Sequence, residues 1–319
     1  MTLKLQGTFT ALVTPFTEDG SAVDYAKLRE LVEWQIQEGI NGLVPCPTVS
    51  HEEHDRVIAE VVATVNGRVP VIAGTGSNST AEALRLTRAA KKHGADACLV
   101  VCPYYNKPTQ KGLYAHFKAV AEVGLPVVVY NIPGRTNVNL SPQTIAELYK
   151  LPNIVAIKES TGSLDQAMEI AALCDITILS GDDNLTLPLM AMGATGVISV
   201  LSNASPKKVL AVTDPMLKGD YAAARKAALE NVRLDWLRVL RSVDCATNGL
   251  FAAFRSSWSS RSSARPTRSP SRRCCSSWAS ALLLCVLLWW SASPRPSRTS
   301  PSWPRSTSLS KQMYSRSWF

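Results

Sequence analysis

Short apolar runs alternate with longer amphipathic stretches along most of the chain, from residue 8 to residue 218. Short runs bounded by turn residues predict buried strands, whereas apolar positions three and four residues apart predict helices with one packed face. The predicted strands are residues 8–13, 42–46, 69–74, 97–102, 127–131, 154–159, 177–180 and 196–200. The predicted helices are residues 24–38, 51–65, 80–93, 111–121, 141–149, 163–174, 182–192 and 205–218, with a further helix over 220–236.

This regular alternation predicts the fold class. Eight strand–helix units within about 220 residues are typical of an α/β protein built as a (β/α)8 TIM barrel. A doubly wound open sheet is the alternative, but it does not ordinarily need eight such regular units. Helix start signals agree with the assignment. Capping-box pairs stand at Ser50 with Glu53, Ser79 with Glu82 and Ser163 with Gln166.

Basic residues are concentrated in the last quarter of the chain. Residues 241–319 hold 12 Lys+Arg and one acidic residue, whereas residues 1–240 hold 22 Lys+Arg and 24 Asp+Glu, so the tail accounts for the net charge of +9. The tail also holds six of the eight Trp. Three interpretations compete: a basic disordered arm, a membrane segment, and an out-of-frame translation. We favour the last, because disordered arms are normally poor in Trp and Cys.

The longest apolar stretch of the tail, residues 279–290, is shorter than the ~20 residues that cross a bilayer. We therefore expect no membrane partner. We also expect no nucleic-acid partner, because no aromatic and basic residues alternate on a predicted fold, although a tail that binds nucleic acid stays open as a hypothesis. The predicted domains are a catalytic barrel over 1–219, a residual helical segment over 220–240, and a tail over 241–319 that is poorly ordered or partly helical.

The cysteines and the start of the chain limit the location and the cofactors. The eight Cys show no CxxC spacing and no His at ligand distance, so we expect no metal site and no disulfide framework. The first residues lack a cationic segment followed by an apolar one, which predicts a cytoplasmic protein without a signal peptide. No cofactor is predicted.

One lysine stands at the end of an apolar run, where chemistry is expected. In a barrel, residues that follow the strands face a common space, so Lys158 on strand 6 is predicted to lie beside Tyr130 on strand 5. Burial favours the neutral, nucleophilic form of an amine, and a nearby phenol can relay protons while an imine forms. The alternatives are a lysine that extends to water and a strand-end tyrosine that serves only in packing. Arg135, in the loop after strand 5, can bind a carboxylate bidentately; the alternative is a solvated loop arginine.

Several segments together resemble the dihydrodipicolinate synthase family, the 4-hydroxy-tetrahydrodipicolinate synthases. The clearest are Tyr130-Asn-Ile-Pro-Gly-Arg135 and Ile157-Lys-Glu-Ser-Thr-Gly162, and further matching segments are residues 8–16, 73–76, 103–106, 180–183 and 196–199. The resemblance covers about residues 1–229, in order and with family-like spacing. It implies a pyruvate-dependent Schiff-base lyase of lysine biosynthesis by the diaminopimelate pathway.

The resemblance also implies roles for single residues. Lys158 is expected to form an imine with pyruvate, whose enamine attacks L-aspartate 4-semialdehyde. Tyr130 is expected to relay protons, helped by Tyr105 of a neighbouring subunit, while Arg135 binds the semialdehyde carboxylate and backbone near Ile198 lines the pyruvate pocket. A site for the inhibitor L-lysine is implied at His54, Asn78, Glu82 and Tyr104. A cytoplasmic homo-oligomer, tetramer or dimer, is expected.

The sequence departs from the family pattern in two places. Family members carry Gly-Thr-Thr-Gly-Glu-Ser after strand 2, whereas here Cys46 is followed directly by Pro47 and Thr48. Loss of a relay hydroxyl is expected to lower the rate by about 10²- to 10⁴-fold. The helical domain that follows the barrel in the family is not recognisable after about residue 235.

Two alternatives to the synthase remain. A related pyruvate-dependent aldolase, such as N-acetylneuraminate lyase, shares the lysine and the tyrosine but resembles the chain less around Arg135. A non-catalytic barrel would bind pyruvate or lysine without turnover.

Overall fold

The computed structural model describes residues 3–232, in which eight parallel strands form a barrel that helices surround. The strands are β1 Gly7–Leu12, β2 Gly42–Pro45, β3 Ile72–Gly74, β4 Ala97–Val101, β5 Val127–Asn131, β6 Ile154–Glu159, β7 Thr177–Ser180 and β8 Gly196–Ser199. They pair in the order β2-β1-β8-β7-β6-β5-β4-β3, and a parallel bridge between Leu43 and Val71 joins β2 to β3. The predicted TIM barrel is confirmed.

The helices follow the strands as predicted. They are α1 Tyr25–Gln37, α2 His51–Val65, α3 Thr80–Lys92, α4 Gln110–Ala121, α5 Pro133–Thr136, α6 Pro142–Tyr149, α7 Leu164–Leu173, α8 Thr186–Ala191, α9 Pro206–Leu217 and α10 Tyr221–Val232. The prediction missed α5, which is a single short turn. It was wrong to make residues 182–192 one helix, because a 3-10 turn, Asp183–Leu185, precedes α8. Residues 233–319, including the predicted tail, lie outside the described part of the chain.

Only one of the three predicted capping boxes is complete. The Ser50 hydroxyl accepts from Glu53 N, and the Glu53 carboxylate accepts from Ser50 N in return. At Ser79 and Ser163 the serine hydroxyl caps its helix, but the side chain three residues later bonds to other groups. The prediction of two further reciprocal boxes was therefore wrong, because tertiary contacts use those side chains.

Two apolar layers stabilise the barrel. Inward-facing side chains fill its interior: Phe9, Val44, Ile72, Leu99, Val128, Ala156, Leu179 and Ile198. Outward-facing strand residues pack under the helices, where Phe117 of α4 and Ile145 of α6 are fully buried. Burial of this kind contributes about 25 cal/mol per Å² of apolar surface. The filled interior leaves the carboxyl-terminal rim of the strands as the place for a site.

Among residues 3–232, no helix is both long enough and apolar enough to cross a membrane.

Candidate active site

Lys158 is buried at the carboxyl-terminal end of β6. Its side chain is only 5% exposed, and Nζ lies 4.2 Å from the centre of the Tyr130 ring. The two residues are direct partners in the pairing of β5 with β6, so the strand register fixes their proximity. Within residues 3–232, the amine makes no hydrogen bond or salt bridge, which leaves it available to a ligand. The expectation that Lys158 lies beside Tyr130 is met by this geometry, and the extended, solvated lysine is not observed.

Tyr130 presents the face of its ring to the amine. This is the geometry of a cation–π contact, in which a cation lies within about 6 Å of a ring centroid. The ring also packs against the inner core of the barrel, so its position does not depend on the hydroxyl. The Tyr130 hydroxyl has no hydrogen-bond partner in the described part of the chain, so it is free to serve a bound substrate.

Gly181 and Ser160 complete the wall next to the amine. A Cβ atom at Gly181 would lie 1.7 Å from Ser160 Oγ and 3.0 Å from Lys158 Cε, so glycine is required by close approach. Ser160 follows Lys158 by two residues and is 8% exposed. Its hydroxyl is buried and has no partner among residues 3–232. Prediction from sequence missed Ser160, although strand alternation could have placed it on the same side as Lys158.

Asp183, in the loop after β7, connects two neighbouring strand ends. Its carboxylate accepts from Ser199 Oγ at 2.5 Å and from the N–H groups of Val200 and Leu201, each at 3.0 Å. The residue as a whole is half-buried, but its carboxyl group is enclosed, and desolvation raises the pKa of Asp183. The three hydrogen bonds and the positive charge of Lys158 act against that rise. Asp183 thus fixes the rim beside the strand that carries Ile198.

Glu159 points away from the amine and stabilises the turn after β6. One carboxylate oxygen accepts from Thr161 N at 2.8 Å, while the other is buried without a partner among residues 3–232. Desolvation raises the pKa of Glu159, and the hydrogen bond from Thr161 partly offsets this effect. The sequence did not identify this second buried carboxyl group.

The other predicted catalytic and substrate-binding residues lie around the rim. Ile198 is fully buried on β8, whereas Arg135 is exposed on α5 and its guanidinium has no partner within residues 3–232. Tyr105 follows β4 and is 89% exposed, with a φ of 74°. A left-handed backbone is costly for a residue other than glycine and is commonly found at functional positions.

The four residues predicted to bind lysine lie at the start of α2, at the start of α3 and after β4. Asn78 O accepts from Asn106 Nδ2 at 3.2 Å, which joins it to the loop that carries the half-exposed Tyr104. His54 is 8% exposed, and its Nε2 bonds with Gly74 O at 2.9 Å. Desolvation lowers the pKa of His54. The imidazole is therefore held below the surface.

Glu82 contacts a histidine that the sequence did not single out. Its carboxylate lies 3.2 Å from His51 Nε2 and bonds with Ser77 Oγ, while Arg85 lies 2.9 Å from His51 Nδ1. Arg85 also pairs with Asp55 at 3.0 Å. These contacts join the starts of α2 and α3 in one polar network, which stabilises the position of Glu82.

The shortened connection after β2 brings a cysteine to the rim. A Cβ atom at Gly74 would lie 2.3 Å from Cys46 Sγ, so the two strand ends touch. Cys46 is exposed, as is Thr48, the one hydroxyl that the sequence offers near the missing threonines. Among residues 3–232, no group of three or more His, Cys, Asp or Glu is arranged to hold a metal ion.

Comparison with known proteins gives a consistent result. The sequence model of the Dihydrodipicolinate synthetase family matches residues 4–243. The 4-hydroxy-tetrahydrodipicolinate synthase of Geobacter sulfurreducens is 54% identical over 238 residues, which cover 72% of this chain and 81% of that protein.

Solved structures of similar proteins share the fold. A chloride-inhibited dihydrodipicolinate synthase from Acinetobacter baumannii, complexed with pyruvate, is 40% identical, with a TM-score of 0.74 over 85% of this chain and 94% of that one. The enzyme from Cyanidioschyzon merolae with lysine bound is 32% identical, with a TM-score of 0.74 over 88% and 97% of the two chains. In both cases the structural similarity covers most of the length of the solved structure.

Proposed function

The chain belongs to the dihydrodipicolinate synthetase family, and we propose that it condenses pyruvate with L-aspartate 4-semialdehyde through an imine on Lys158. The product is 4-hydroxy-tetrahydrodipicolinate, an intermediate of lysine biosynthesis by the diaminopimelate pathway. The observation that carries the proposal is the buried amine of Lys158, 4.2 Å from the Tyr130 ring at the rim of the barrel. The A. baumannii neighbour, which holds pyruvate, supports the choice of the first substrate.

In the proposed reaction, the Lys158 amine attacks C2 of pyruvate and water leaves. The resulting imine loses a proton from C3, and the enamine carbon attacks the aldehyde of the second substrate. The amino group of that substrate then displaces Lys158 from C2, which closes the ring and frees the enzyme. We assign to Tyr130 the proton exchanges that follow imine formation, because its hydroxyl has no partner within residues 3–232 and its ring contacts the amine.

The second substrate carries a carboxylate that needs a cation at the rim. We assign this role to Arg135, whose exposed guanidinium makes no bond within residues 3–232 and can form a bidentate pair. Tyr105, exposed and strained, is assigned to the site of a neighbouring subunit. We expect a tetramer or dimer in the cytoplasm. Sedimentation of the original chain beside the Tyr105→Ala variant tests the oligomeric state.

Reductive trapping tests the proposed nucleophile. The full chain is treated with pyruvate and sodium borohydride, and the modified peptide is mapped by mass spectrometry. We expect one pyruvate-derived adduct on Lys158, and none in the Lys158→Ala variant. The exposed Lys150, which pairs with Glu147 at 2.6 Å, gives a matched control, since Lys150→Ala should leave the adduct unchanged. Labelling that does not require Lys158 would rule out the proposal.

The missing threonine segment favours a second candidate, a barrel that binds pyruvate without turnover. Trapping and turnover separate the two functions. An adduct together with product from pyruvate and aspartate semialdehyde identifies a synthase, whereas an adduct without product identifies the binding protein. Product from pyruvate and an N-acyl mannosamine instead would identify the related sugar-acid aldolase.

Regulation by L-lysine is proposed at Asn78, Glu82, Tyr104 and His54. The C. merolae neighbour with lysine bound supports L-lysine as a ligand. A carboxylate at Glu82 suits an ammonium group, although in this chain it already pairs with His51. We expect Glu82→Gln to weaken inhibition by L-lysine at least ~10-fold, because one charge pair is lost. Unchanged inhibition in that variant would exclude Glu82 from the site.

A further inference from the structure

One buried hydroxyl beside the amine has no partner among residues 3–232. Among residues 3–232, Ser160 Oγ is the only hydroxyl that is buried without a hydrogen bond. Buried polar groups are nearly always paired, so each exception calls for an explanation such as a missing ligand or a catalytic role. A serine that only filled space here would be served equally well by alanine. The hydroxyl therefore points to a role that begins when a ligand enters the site.

The position of Ser160 specifies which ligand atoms its hydroxyl can reach. Both Ser160 Oγ and Lys158 Cε lie against the same point of Gly181, at 1.7 Å and 3.0 Å from its would-be Cβ. The two atoms are thus no farther apart than the sum of those distances. The hydroxyl lies beside the last carbon of the lysine, next to the nitrogen that attacks.

Imine formation needs a proton to move between two atoms that are bonded to the same carbon. When Lys158 Nζ bonds to C2 of pyruvate, the electron pair of the carbonyl moves to oxygen, leaving a proton too many on nitrogen and one too few on oxygen. A hydroxyl that both donates and accepts can correct this in one step. It gives its proton to the oxygen and takes one from the nitrogen, so the carbinolamine is neutral and the hydroxyl is restored.

The other groups at the rim are less suited to this transfer. Thr48, in the shortened connection after β2, is exposed. Tyr130 presents the face of its ring to the amine. The carboxylate of Asp183 is already engaged by one hydroxyl and two backbone N–H groups. Among the rim residues that the structure describes, Ser160 alone combines burial, a free hydroxyl and contact with the same wall as the amine.

We propose that Ser160 is a catalytic residue whose hydroxyl relays the proton from the Lys158 nitrogen to the C2 oxygen of a bound 2-oxo acid. This inference rests on the proposed function, because it requires Lys158 to be the nucleophile. It also provides this chain with a relay hydroxyl despite the absent Thr-Thr segment. The role concerns formation of the imine and not its stability once formed.

The rate of imine formation tests the proposal. The full chain is mixed with pyruvate and quenched with borohydride at increasing times, and the adduct on Lys158 is measured by mass spectrometry. We expect Ser160→Ala to slow adduct formation at least ~10-fold while the final extent of labelling is unchanged. Ser160→Thr, which keeps the hydroxyl, should recover much of the rate. Ser160→Cys keeps the shape with a weak donor and should stay slow, and it replaces the alanine variant if that one does not fold.

Two controls separate a relay from a structural effect. Thr213→Val removes a buried hydroxyl that pairs with Thr8 at 2.8 Å, near the opposite end of β1, and should leave the labelling rate unchanged. Thermal unfolding should show that Ser160→Ala is at least as stable as the original chain, because an unsatisfied hydroxyl is removed. Labelling of Ser160→Ala at the original rate would overturn the relay while leaving Lys158 as the nucleophile. No labelling of the unaltered chain would instead defeat the proposed function.

Discussion

At the scale of single residues, Tyr130 can contribute to the site in two ways, through its ring and through its hydroxyl. The ring is held by the inner core and faces the amine, whereas the hydroxyl is unpartnered within residues 3–232. Tyr130→Phe removes only the hydroxyl. We expect it to lower kcat by about 10²- to 10⁴-fold while the Lys158 adduct still forms, because the loss is one of proton transfer. Steady-state kinetics with both substrates, beside borohydride trapping, measure the two effects.

A control for this change is available on the surface. Tyr149, at the end of α6, is 37% exposed and stands just before the start of β6, at the end of the strand opposite Lys158, so Tyr149→Phe should leave kcat unchanged. A Tyr130→Phe variant with the original kcat would show that the phenol is only a packing group.

Gly181 shows how closely the wall of the site is packed. A methyl group there would occupy the space of Ser160 Oγ and press on Lys158 Cε. Gly181→Ala is therefore expected to displace the amine, to lower kcat/KM at least ~10-fold, and to cost about 1–3 kcal/mol of folding free energy through overpacking. Activity assays and urea unfolding measure the two losses.

Gly134→Ala is the matched control for this substitution. A Cβ atom at Gly134 meets no atom of residues 3–232 within 4 Å, so its addition should be tolerated. If Gly181→Ala retained full activity, the wall would have to be more adaptable than the close approach indicates.

At the scale of elements, the connection between β2 and α2 is the part that differs from the family pattern. The strand ends at Pro45 and the helix begins after the complete capping box of Ser50, so an insertion between them leaves both intact. We predict that inserting Gly-Thr-Thr-Gly-Glu-Ser between Cys46 and Pro47 raises kcat by about 10-fold or more, because it adds hydroxyls for proton relay. The coupled assay with pyruvate and aspartate semialdehyde measures the gain.

A second insertion tests whether the hydroxyls are responsible. Gly-Ala-Ala-Gly-Glu-Ser restores the length of the connection without the threonines. We expect this version to fold equally well and to show no gain. Equal activity of the two insertions would mean that loop length, and not hydroxyl chemistry, limits the rate.

The elements also show where local sequence was sufficient. The bounds of β5, β6, β7 and α2 were predicted correctly, because each is set by an apolar pattern with turn or capping signals beside it. The helix predicted over 182–192 was wrong because Asp183 bonds to the next strand end, at Ser199 and two backbone N–H groups. A contact across the rim thus overrode the local helix signal.

At the scale of the whole molecule, stability should depend on a histidine far from the chemistry. His116 of α4 is 4% exposed, and desolvation lowers its pKa from 6.5 to about 4. The neutral ring is the form that the fold accepts. Stability is therefore complete above the unfolded pKa and is lost as the pH falls from 6.5 towards the folded value. Between pH 7 and pH 5, we expect this group to cost about 2 kcal/mol of folding free energy.

Comparing a His116 variant with the original chain separates the contribution of His116 to acid sensitivity from that of the buried carboxyl groups. His116→Gln keeps a hydrogen-bonding group near Thr80, whose Oγ1 lies 2.9 Å from His116 Nδ1. Urea unfolding at pH 7 and pH 5 should show a smaller loss on acidification in this variant than in the original chain. His93→Gln, at the half-buried end of α3, should behave like the original. If His116→Gln and the original chain lost equal stability between pH 7 and pH 5, His116 would not control the acid response.

The sequence by itself determined the alternation of strands and helices, and with it the barrel and the neighbouring places of Lys158 and Tyr130. These features follow from patterns that span a few residues and from a strand order that admits one closed arrangement. The resemblance of its segments also gave the family, which the comparisons confirm.

Only the tertiary structure decided which side chains complete the site. The closeness of Ser160 to Gly181, the bonds of Asp183 to β8, and the pairing of Glu82 with His51 join residues that no local pattern connects. Their distances depend on how the strands stagger and how closely the loops pack once the barrel closes. The chain encodes the scaffold locally, whereas hydrogen bonding and burial at the rim are set by contacts between segments distant in sequence.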